Sequence, residues 1–239
     1  MPKVSLIISV FRKKEELELI FRALKQQTFT EFEVIVADDD SGNDMPAHVE
    51  ELTGKYKLDA RIVTHSFTGF GKNIILNRAI MGALTDYLVF IDGDCIPHRG
   101  FMQGHMRACG ANTVLCGRRV MLGEKLSARL KEDPAVMGRG SISYFSLLGD
   151  MFSKPNPGYH SEEGLYISSG MIRGVRGTKI TLSGCNFSLH KKLMEKINGF
   201  DEDYTGPGIG EDSDLEFRLR LSGAELRSVR NLAVLYHVY

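Results

Sequence analysis

The apolar positions of the chain form two alternating patterns, which predict strands and helices in turn. Short apolar runs are typical of strands buried on both faces of a parallel sheet. Longer stretches repeat apolar side chains every three or four positions, as amphipathic helices do. The predicted strands span 4–10, 32–37, 60–64 and 87–91, and the predicted helices span 12–27 and 72–84, with a solvated helix around Glu50 and Glu51. This rhythm predicts an α/β fold with a doubly wound, mostly parallel sheet.

The pattern is less regular after residue 117. From 134 to 177 the sequence is rich in glycine, and Lys154-Pro155-Asn156-Pro157-Gly158 can continue neither a helix nor a central strand. We interpret 134–177 as a mobile insertion that faces substrate, within a variable segment that spans 118–180. Its apolar side chains either pack onto their own domain or contact a lipid carrier, and they are Phe145, Leu147, Leu148, Met151 and Phe152. The other expected elements are helices over 101–109 and 191–198, a helix beginning near Gly210, and strands over 113–117, 181–190, 225–229 and 233–239.

Composition excludes several classes of protein. The 239 residues carry 30 Lys and Arg against 30 Asp and Glu, so net charge gives no general attraction to nucleic acid or to an anionic membrane. The four cysteines lack Cys-x-x-Cys spacing and the amino terminus does not resemble a signal peptide, which favours a reducing cytoplasm. No apolar run approaches the ~20 residues that span a bilayer, so we expect any membrane contact to be peripheral or to be made by a segment outside this chain. The sequence ends within a predicted strand at Tyr239, and we expect a carboxyl-terminal continuation.

Acidic residues follow two of the predicted strands. Asp92-Gly93-Asp94 ends the strand over 87–91, and Asp39 follows the strand over 32–37. In a parallel sheet such strand ends meet at one edge, where ligands bind. Taken alone, Asp92-Gly93-Asp94 is equally compatible with a clasp for Mg²⁺ or Mn²⁺ and with a loop whose acids accept hydrogen bonds from backbone N–H groups.

Seven segments together resemble the family 2 glycosyltransferases, and the resemblance covers nearly the whole chain. The segments are Val4 to Val10, Val34 to Ser41, Gly71-Lys72-Asn73 through Arg78, Asp92-Gly93-Asp94, Gly184 to Ser188, Gly199-Phe200-Asp201-Glu202, and Gly210 to Leu215 with Arg218-Leu219. The resemblance implies one domain of the GT-A fold and an inverting transfer of sugar from a nucleotide donor. By this resemblance, residues 1–117 form the nucleotide-binding half of the domain, 118–180 form the insertion, and 181–239 form the acceptor and catalytic half.

The resemblance also implies roles for donor-binding residues. Asp39 accepts from the base, Asp92 lies near the ribose, and Lys72 and Arg78 donate to the base and diphosphate. The alternative for both cations is a solvated helix face. Asp40 stands where the family usually has glycine.

Two further residues are implied to bind a divalent metal, Mn²⁺ or Mg²⁺. Asp94 is the direct ligand. The metal would neutralise the negative charge that develops on the departing diphosphate. His237 stands where some relatives add a histidine from a late strand. The ordinary alternative is a histidine packed in an apolar strand.

Inverting transfer needs one base to take the proton of the acceptor hydroxyl. By resemblance this base is Asp212, with Glu211 orienting hydroxyls of donor or acceptor. Acids at a helix amino terminus are also favoured by capping and by the helix dipole. Pro207-Gly208-Ile209-Gly210 replaces the Trp-Gly-Gly of many galactosyl- and galactosaminyl-transferring members, so the donor sugar is open.

The leading hypothesis is a metal-dependent enzyme that moves sugar from a UDP-sugar to a glycan or lipid-linked acceptor in surface polysaccharide assembly. Arg118 and Arg119, directly after a strand, either bind phosphate or are exposed structural residues. One alternative is a noncatalytic domain that binds sugar nucleotides or glycans. A sugar nucleotidyltransferase is disfavoured because 11–15, after the first strand, has no glycine with which to build a phosphate loop.

Overall fold

Ten strands in two sheets form the centre of the structure, a computed structural model that describes residues 1–40, 44–65, 69–167, 180–206 and 208–239. The strands are β1 Val4–Val10, β2 Phe32–Asp38, β3 Ala60–Val63, β4 Tyr87–Asp92, β5 Cys95–Pro97, β6 Thr113–Cys116, β7 Val120–Met121, β8 Asn186–His190, β9 Glu225–Ser228 and β10 Leu235–His237. The helices are α1 Lys14–Leu24, α2 Met45–Tyr56, α3 Lys72–Gly82, α4 Phe101–Ala108, α5 Glu124–Glu132, α6 Tyr144–Asp150, α7 Lys191–Lys196 and α8 Glu211–Leu221. Among the described helices, none is long and apolar enough to cross a membrane.

The larger sheet has the strand order β3-β2-β1-β4-β8-β6-β9. The pairings of β1, β2, β3 and β4 are parallel, and so is that of β6 with β9, whereas β8 runs antiparallel to both of its neighbours. This mostly parallel sheet confirms the predicted fold class. The single reversed strand has a consequence for the site, because β8 begins at the edge where β4 ends.

Helices cover both faces of the large sheet. Along β1, Leu6 and Ile8 join the apolar cluster that includes the inner face of α1, whereas Ile7 joins the cluster that includes α3 and α8. Successive side chains of a strand point to opposite faces, so β1 needs apolar residues at almost every position. That is the continuous run from which the strand is predicted.

The strand predicted over 181–190 is shorter in the structure, where β8 begins only at Asn186. The backbone N–H groups that precede it donate to acids of α8 instead of to a neighbouring strand. Leu182 donates to Glu216 Oε2 at 2.7 Å and Gly184 donates to Asp212 Oδ2 at 2.8 Å. Helix α8 therefore replaces the sheet as the partner of this segment.

The segment 118–180 has more regular structure than the sequence predicted. Its described part contains β7, α5, α6 and two 3₁₀ helices, Pro134–Gly140 and Ser161–Gly164. Asp150 organises this region, since its carboxylate accepts from the N–H of Gly123 at 2.6 Å. Residues 168–179 lie outside the described residues, as do Ser41 and Pro207 of the quoted motifs. Within α6 and the turn after it, Phe145 and Phe152 are exposed and Leu147 is buried.

The small sheet, with the order β5-β10-β7, was not predicted. It pairs His237 of β10 with Cys95 of β5, and the N–H of Val238 donates to the carbonyl oxygen of Asp94 at 2.9 Å. These contacts fix the end of the chain beside the turn that follows β4.

A buried histidine connects α4 with the large sheet. His105 Nδ1 lies 2.8 Å from Ser188 Oγ, and its Nε2 lies 3.1 Å from Asn186 Oδ1. Asn186 in turn donates to the carbonyl oxygens of Arg118 and Ala233 at 2.7 and 3.1 Å. Burial lowers the pKa of His105 to about 4, so the ring is neutral at neutral pH.

The depressed pKa of His105 predicts a loss of stability in mild acid. A histidine that is neutral when folded keeps its full contribution above the unfolded pKa near 6.5 and loses it as the pH falls toward the folded pKa. Between about pH 7.5 and about pH 5, we expect the free energy of unfolding to fall by about 2 kcal/mol more in the native protein than in His105→Gln. Urea denaturation at the two pH values measures the difference.

The control is His160→Asn, which changes an exposed histidine. This variant should show the same pH dependence as the native protein. An equal pH dependence in His105→Gln and the native protein would mean that His105 is not the group responsible.

Candidate active site

The carboxyl ends of β1, β2 and β4 meet at one edge of the large sheet because these strands are parallel neighbours. Asp39 follows β2, and Asp92 is the last residue of β4. Directly after it, Gly93 donates its N–H to the carbonyl oxygen of Ser9 at 2.7 Å. A Cβ atom at position 93 would lie 2.9 Å from that oxygen, so the close approach of two backbones requires glycine.

Two cations contact the carboxylate of Asp92. Lys72, the first residue of α3, places Nζ 2.9 Å from Asp92 Oδ1, and Arg119 places Nη1 3.6 Å from Asp92 Oδ2. Burial alone would lower the pKa of Lys72, but the ion pair and hydrogen bond with Asp92 raise it above its ordinary value. The ammonium group therefore stays charged, and it is held at the end of β4.

Asp212 and Glu211 lie in the first turn of α8 and act on the same lysine. The negative charges of both acids help to raise the pKa of Lys72. The Asp212 carboxylate accepts from the N–H of Gly184, which precedes the start of β8. Burial raises the pKa of Asp212, while the Gly184 hydrogen bond and the charge of Lys72 oppose that rise. The reversed strand β8 thus brings α8 to the end of β4.

Asp39 is buried, and two other residues of the protein contact its carboxylate. Oδ1 accepts from the N–H of Gly71 at 2.9 Å and lies 2.8 Å from His65 Nε2. Burial raises the pKa of Asp39, and the contact with His65 opposes that rise. A Cβ at Gly71 would approach both Asp39 and His65 to 2.8 Å, so this junction between β2 and α3 is closely packed.

Asp94 and His237 form a second pair beside Asp92. Their Oδ2 and Nε2 atoms are 3.6 Å apart, and both side chains are partly exposed. Burial lowers the pKa of His237, which favours the neutral ring that binds metals, while the charge of Asp94 opposes that shift. Among the described residues, none pairs with the buried Nδ1 of His237. One carboxylate oxygen and one imidazole nitrogen at this separation fit a shared Mn²⁺ or Mg²⁺ ion with coordination positions left for phosphate oxygens.

Arg78 lies on the exposed face of α3. Its Nη1 donates to the carbonyl oxygen of Thr64, at the end of the segment that follows β3, at 3.1 Å. The structure therefore gives Arg78 a structural partner. Its predicted contact with the donor stays a prediction.

Three side chains at this edge did not emerge as candidates from the sequence: His65, Cys95 and Cys185. Cys95 and Cys185 each offer a sulfur atom that lies within 4.8 Å of the other and of an Asp92 oxygen. The two cysteines are far apart along the chain and lack metal-binding spacing, so only the pairing of β4 with β8 could have identified them. His65 had one weak signal, its place just after a predicted strand.

Comparison with known families covers the chain in two overlapping parts. The model of glycosyl transferase family 2 matches residues 5–197. A second model, described as the N-terminal domain of galactosyltransferase, matches residues 174–239. The first match includes the strands that carry Asp39 and Asp92, and the second includes Asp212 and His237.

Individual proteins give the same class. The chain is 25% identical over 248 residues to a chondroitin synthase of Escherichia coli, a match that covers 98% of this chain and 34% of that protein. A mannosyltransferase of Pyrobaculum calidifontis, solved with GDP-Man and Mn²⁺, has a TM-score of 0.64 at 16% identity over 99% of this chain and 57% of the other. The S. aureus TarS 1–349 structure with UDP-GlcNAc has a TM-score of 0.61 at 18% identity over 98% of this chain and 58% of the other.

The fold and the acid-lined sheet edge define a glycosyltransferase of the GT-A class. The chain belongs to glycosyl transferase family 2, as its sequence segments predicted, and it is related to polysaccharide synthases. It spans about a third of the length of the curated chondroitin synthase that it matches.

The contact between Gly184 and Asp212 predicts that a single methyl group will inactivate the enzyme. A Cβ at position 184 would lie 2.4 Å from Asp212 Oδ1, so Gly184→Ala must displace the carboxylate. We expect sugar transfer to fall by roughly 100-fold or more, since misplaced reacting groups commonly cost that much. Initial rates of transfer, with thermal unfolding as the check on folding, measure the effect.

Gly206→Ala is the matched control, because a Cβ at position 206 meets no atom within 4 Å. Activity in this variant should stay close to that of the native protein. Full activity in Gly184→Ala would contradict a requirement for the observed position of Asp212.

Proposed function

We propose that this protein is a metal-dependent, inverting glycosyltransferase that moves a sugar from a UDP-sugar to a glycan or lipid-linked acceptor during surface polysaccharide assembly. One observation carries the proposal. Lys72 pairs with Asp92, and the negative charges of Asp212 and Glu211 also act on its ammonium group, so a cation for the leaving group and a carboxylate for the acceptor meet at one edge of the sheet. A single displacement with inversion needs both.

On the donor side, the residues bind and orient the nucleotide. Asp39 accepts from the imide N–H of uracil, and the Gly71 hydrogen bond holds its carboxylate in place. Asp92 lies near the ribose. Lys72 exchanges part of its contact with Asp92 for the diphosphate, which needs positive charge as the bond to sugar breaks. Arg119 is a second cation at the same carboxylate.

Asp94 and His237 are the proposed ligands of Mn²⁺ or Mg²⁺, and their separation fits a shared ion. The ion would stabilise the negative charge of the departing nucleoside diphosphate. The pairing of β10 with β5 holds both ligands at the turn after β4.

On the acceptor side, Asp212 removes the proton from the attacking hydroxyl. Its pKa is raised by burial, which makes the carboxylate a stronger base than an exposed aspartate. The Gly184 N–H fixes one oxygen and leaves the other for the acceptor. Glu211, its neighbour in α8, orients sugar hydroxyls.

The relatives support the proposed substrates. The E. coli relative is a chondroitin synthase, which supports a growing glycan as acceptor. TarS was solved with UDP-GlcNAc, which supports a UDP-sugar as donor. The mannosyltransferase was solved with GDP-Man, so proteins of this fold also bind a GDP-sugar. Action at the cytoplasmic face of a membrane, with peripheral contact, stays a prediction.

Removal of one metal ligand should separate metal binding from folding. We expect Asp94→Ala to weaken Mn²⁺-dependent UDP binding by roughly 10- to 100-fold and to abolish slow UDP-sugar hydrolysis. Calorimetry with UDP, with and without Mn²⁺, measures the binding.

Asp86→Ala is the control, because it removes an exposed aspartate beside the opposite end of β4. UDP binding in this variant should be unchanged. Native UDP affinity in Asp94→Ala, and in native protein treated with chelator, would contradict the metal assignment.

Neutralising the proposed base should stop chemistry and leave binding intact. We expect Asp212→Asn to lower the rate of sugar transfer by about 10²- to 10⁴-fold, since the amide cannot accept the proton. UDP affinity should change little. Asp203→Asn, an exposed acid in the preceding loop, is the control and should keep full activity.

This experiment also tests the alternative of a noncatalytic binding domain. A native protein that binds UDP but transfers no sugar across panels of donors and acceptors would support that alternative. Transfer at the native rate by Asp212→Asn would contradict the assignment of Asp212 as the base.

A further inference from the structure

Two thiols and one carboxylate meet at the turn between β4 and β5. Asp92 ends β4, Cys95 begins β5, and Cys185 precedes β8, whose antiparallel pairing with β4 brings it to this point. Each residue offers one ligand atom, and the three atoms lie within 4.8 Å of one another. We call these three residues the thiol cluster.

The thiol cluster is closed on the protein side and open on one other side. Cys95 is 0% exposed and Cys185 is 2% exposed, whereas the Asp92 side chain is 24% exposed. Solvent therefore reaches the cluster at its carboxylate. Ser183 Oγ lies 3.2 Å from the sulfur of Cys185 and adds a fourth polar atom beside the cluster.

The charges around the cluster suit a divalent cation. Two thiolates and one carboxylate carry three negative charges, which the divalent ion offsets together with Lys72 and Arg119, the two cations that contact Asp92. Arg119 Nη1 lies 3.6 Å from Asp92 Oδ2, so this compensating charge is already present. Buried charges are tolerated when they are paired or coordinate a metal.

The ligand atoms select the kind of metal. Thiolate sulfur binds Zn²⁺ and similar soft ions, whereas Mn²⁺ and Mg²⁺ prefer oxygen. Around tetrahedral Zn²⁺, sulfur at about 2.3 Å and oxygen at about 2.1 Å lie about 3.5 to 3.8 Å from each other. Side-chain shifts of about 1 Å therefore bring the thiol cluster to this geometry, with a fourth position left for water.

We propose that Asp92, Cys95 and Cys185 form a binding site for a thiolate-preferring divalent cation, Zn²⁺ or Cd²⁺, which lies beside the proposed oxygen and imidazole site at Asp94 and His237 and uses different ligands. Binding forms two metal–sulfur bonds and one metal–oxygen bond, and the two thiol protons pass to solvent without any change of oxidation state. The proposal does not require sugar transfer, but the cation site shares Asp92 with the proposed donor site.

Cadmium titration of the full chain tests the proposal, because Cd²⁺–thiolate bonds absorb in the ultraviolet. The protein is kept reduced with a phosphine, and its four cysteines are first shown to react as free thiols. We expect a charge-transfer band that saturates in a single step with one Cd²⁺ per chain. Excess Mn²⁺ should not remove this band, since it does not compete for sulfur.

Four cysteine variants locate the site. Cys95→Ser and Cys185→Ser should each weaken Cd²⁺ binding by at least roughly 10- to 100-fold, the loss that even outer-shell changes at metal sites produce. Cys116→Ser changes an equally buried cysteine away from the cluster, and Cys109→Ser changes an exposed one. Both controls should keep the native titration.

The Asp92→Asn variant tests the proposal even if the cysteine variants fail to fold, since it alters the partly exposed ligand and leaves the core thiols in place. This variant should keep the band and bind Cd²⁺ more weakly. A native protein with four free thiols and no band would overturn the proposal. So would a band that persists in both Cys95→Ser and Cys185→Ser, or a thiol count showing that these two cysteines are already joined in a disulfide.

Discussion

The parallel pairing of β1 with β2 and β4 is the constraint on which the rest of the site depends. Parallel neighbours end at the same edge, so residues that follow separate strands arrive together without long loops. Asp39 and Asp92 lie at that edge for this reason alone. The hydrogen bond from Gly93 to Ser9 then turns the chain sharply, so that Asp94 also stays at the edge.

The reversed strand β8 adds a second constraint. Because it runs against β4, its start lies where β4 finishes, and the segment before it reaches the acids of α8. The negative charges of three acids then act on one partly buried lysine, and the favourable ion pair outweighs the loss of hydration. A charged group held this way needs little reorganisation when an anionic ligand approaches.

The sequence was sufficient for the parts of the fold that repeat a local pattern. The strands and helices of the first half were predicted because a doubly covered sheet requires apolar runs and amphipathic helices, and Asp39, Asp92 and Asp94 followed from strand ends. The segment before Asn186 was wrongly predicted as strand, because its backbone donors bind side chains of α8, a partner that no local pattern shows. Helix α6 was missed because it is short and lies within a glycine-rich region, and α5 because only two of its buried residues, Leu126 and Leu130, are apolar.

The site was predictable to the extent that its residues follow motifs. The structure brings Lys72, Asp92 and Asp212 to one edge of the sheet, while their roles stay predictions. It adds two contacts that hold these side chains, from Gly184 to Asp212 and from Arg119 to Asp92. Neither contact has a sequence signal, since each depends on strand pairing between distant segments. The same is true of the approach of Cys95 to Cys185.

The hydrogen bonds of the buried Asn186 connect two sides of the active site. Its amide donates to the carbonyl oxygens of Arg118 and Ala233, while its side-chain oxygen faces His105. The chain segments that lead to Arg119 and to His237 are therefore tied to one buried side chain. Deamidation of this residue would put a negative charge against two carbonyl oxygens, so one chemical ageing event in the interior would loosen both sides of the active site at once.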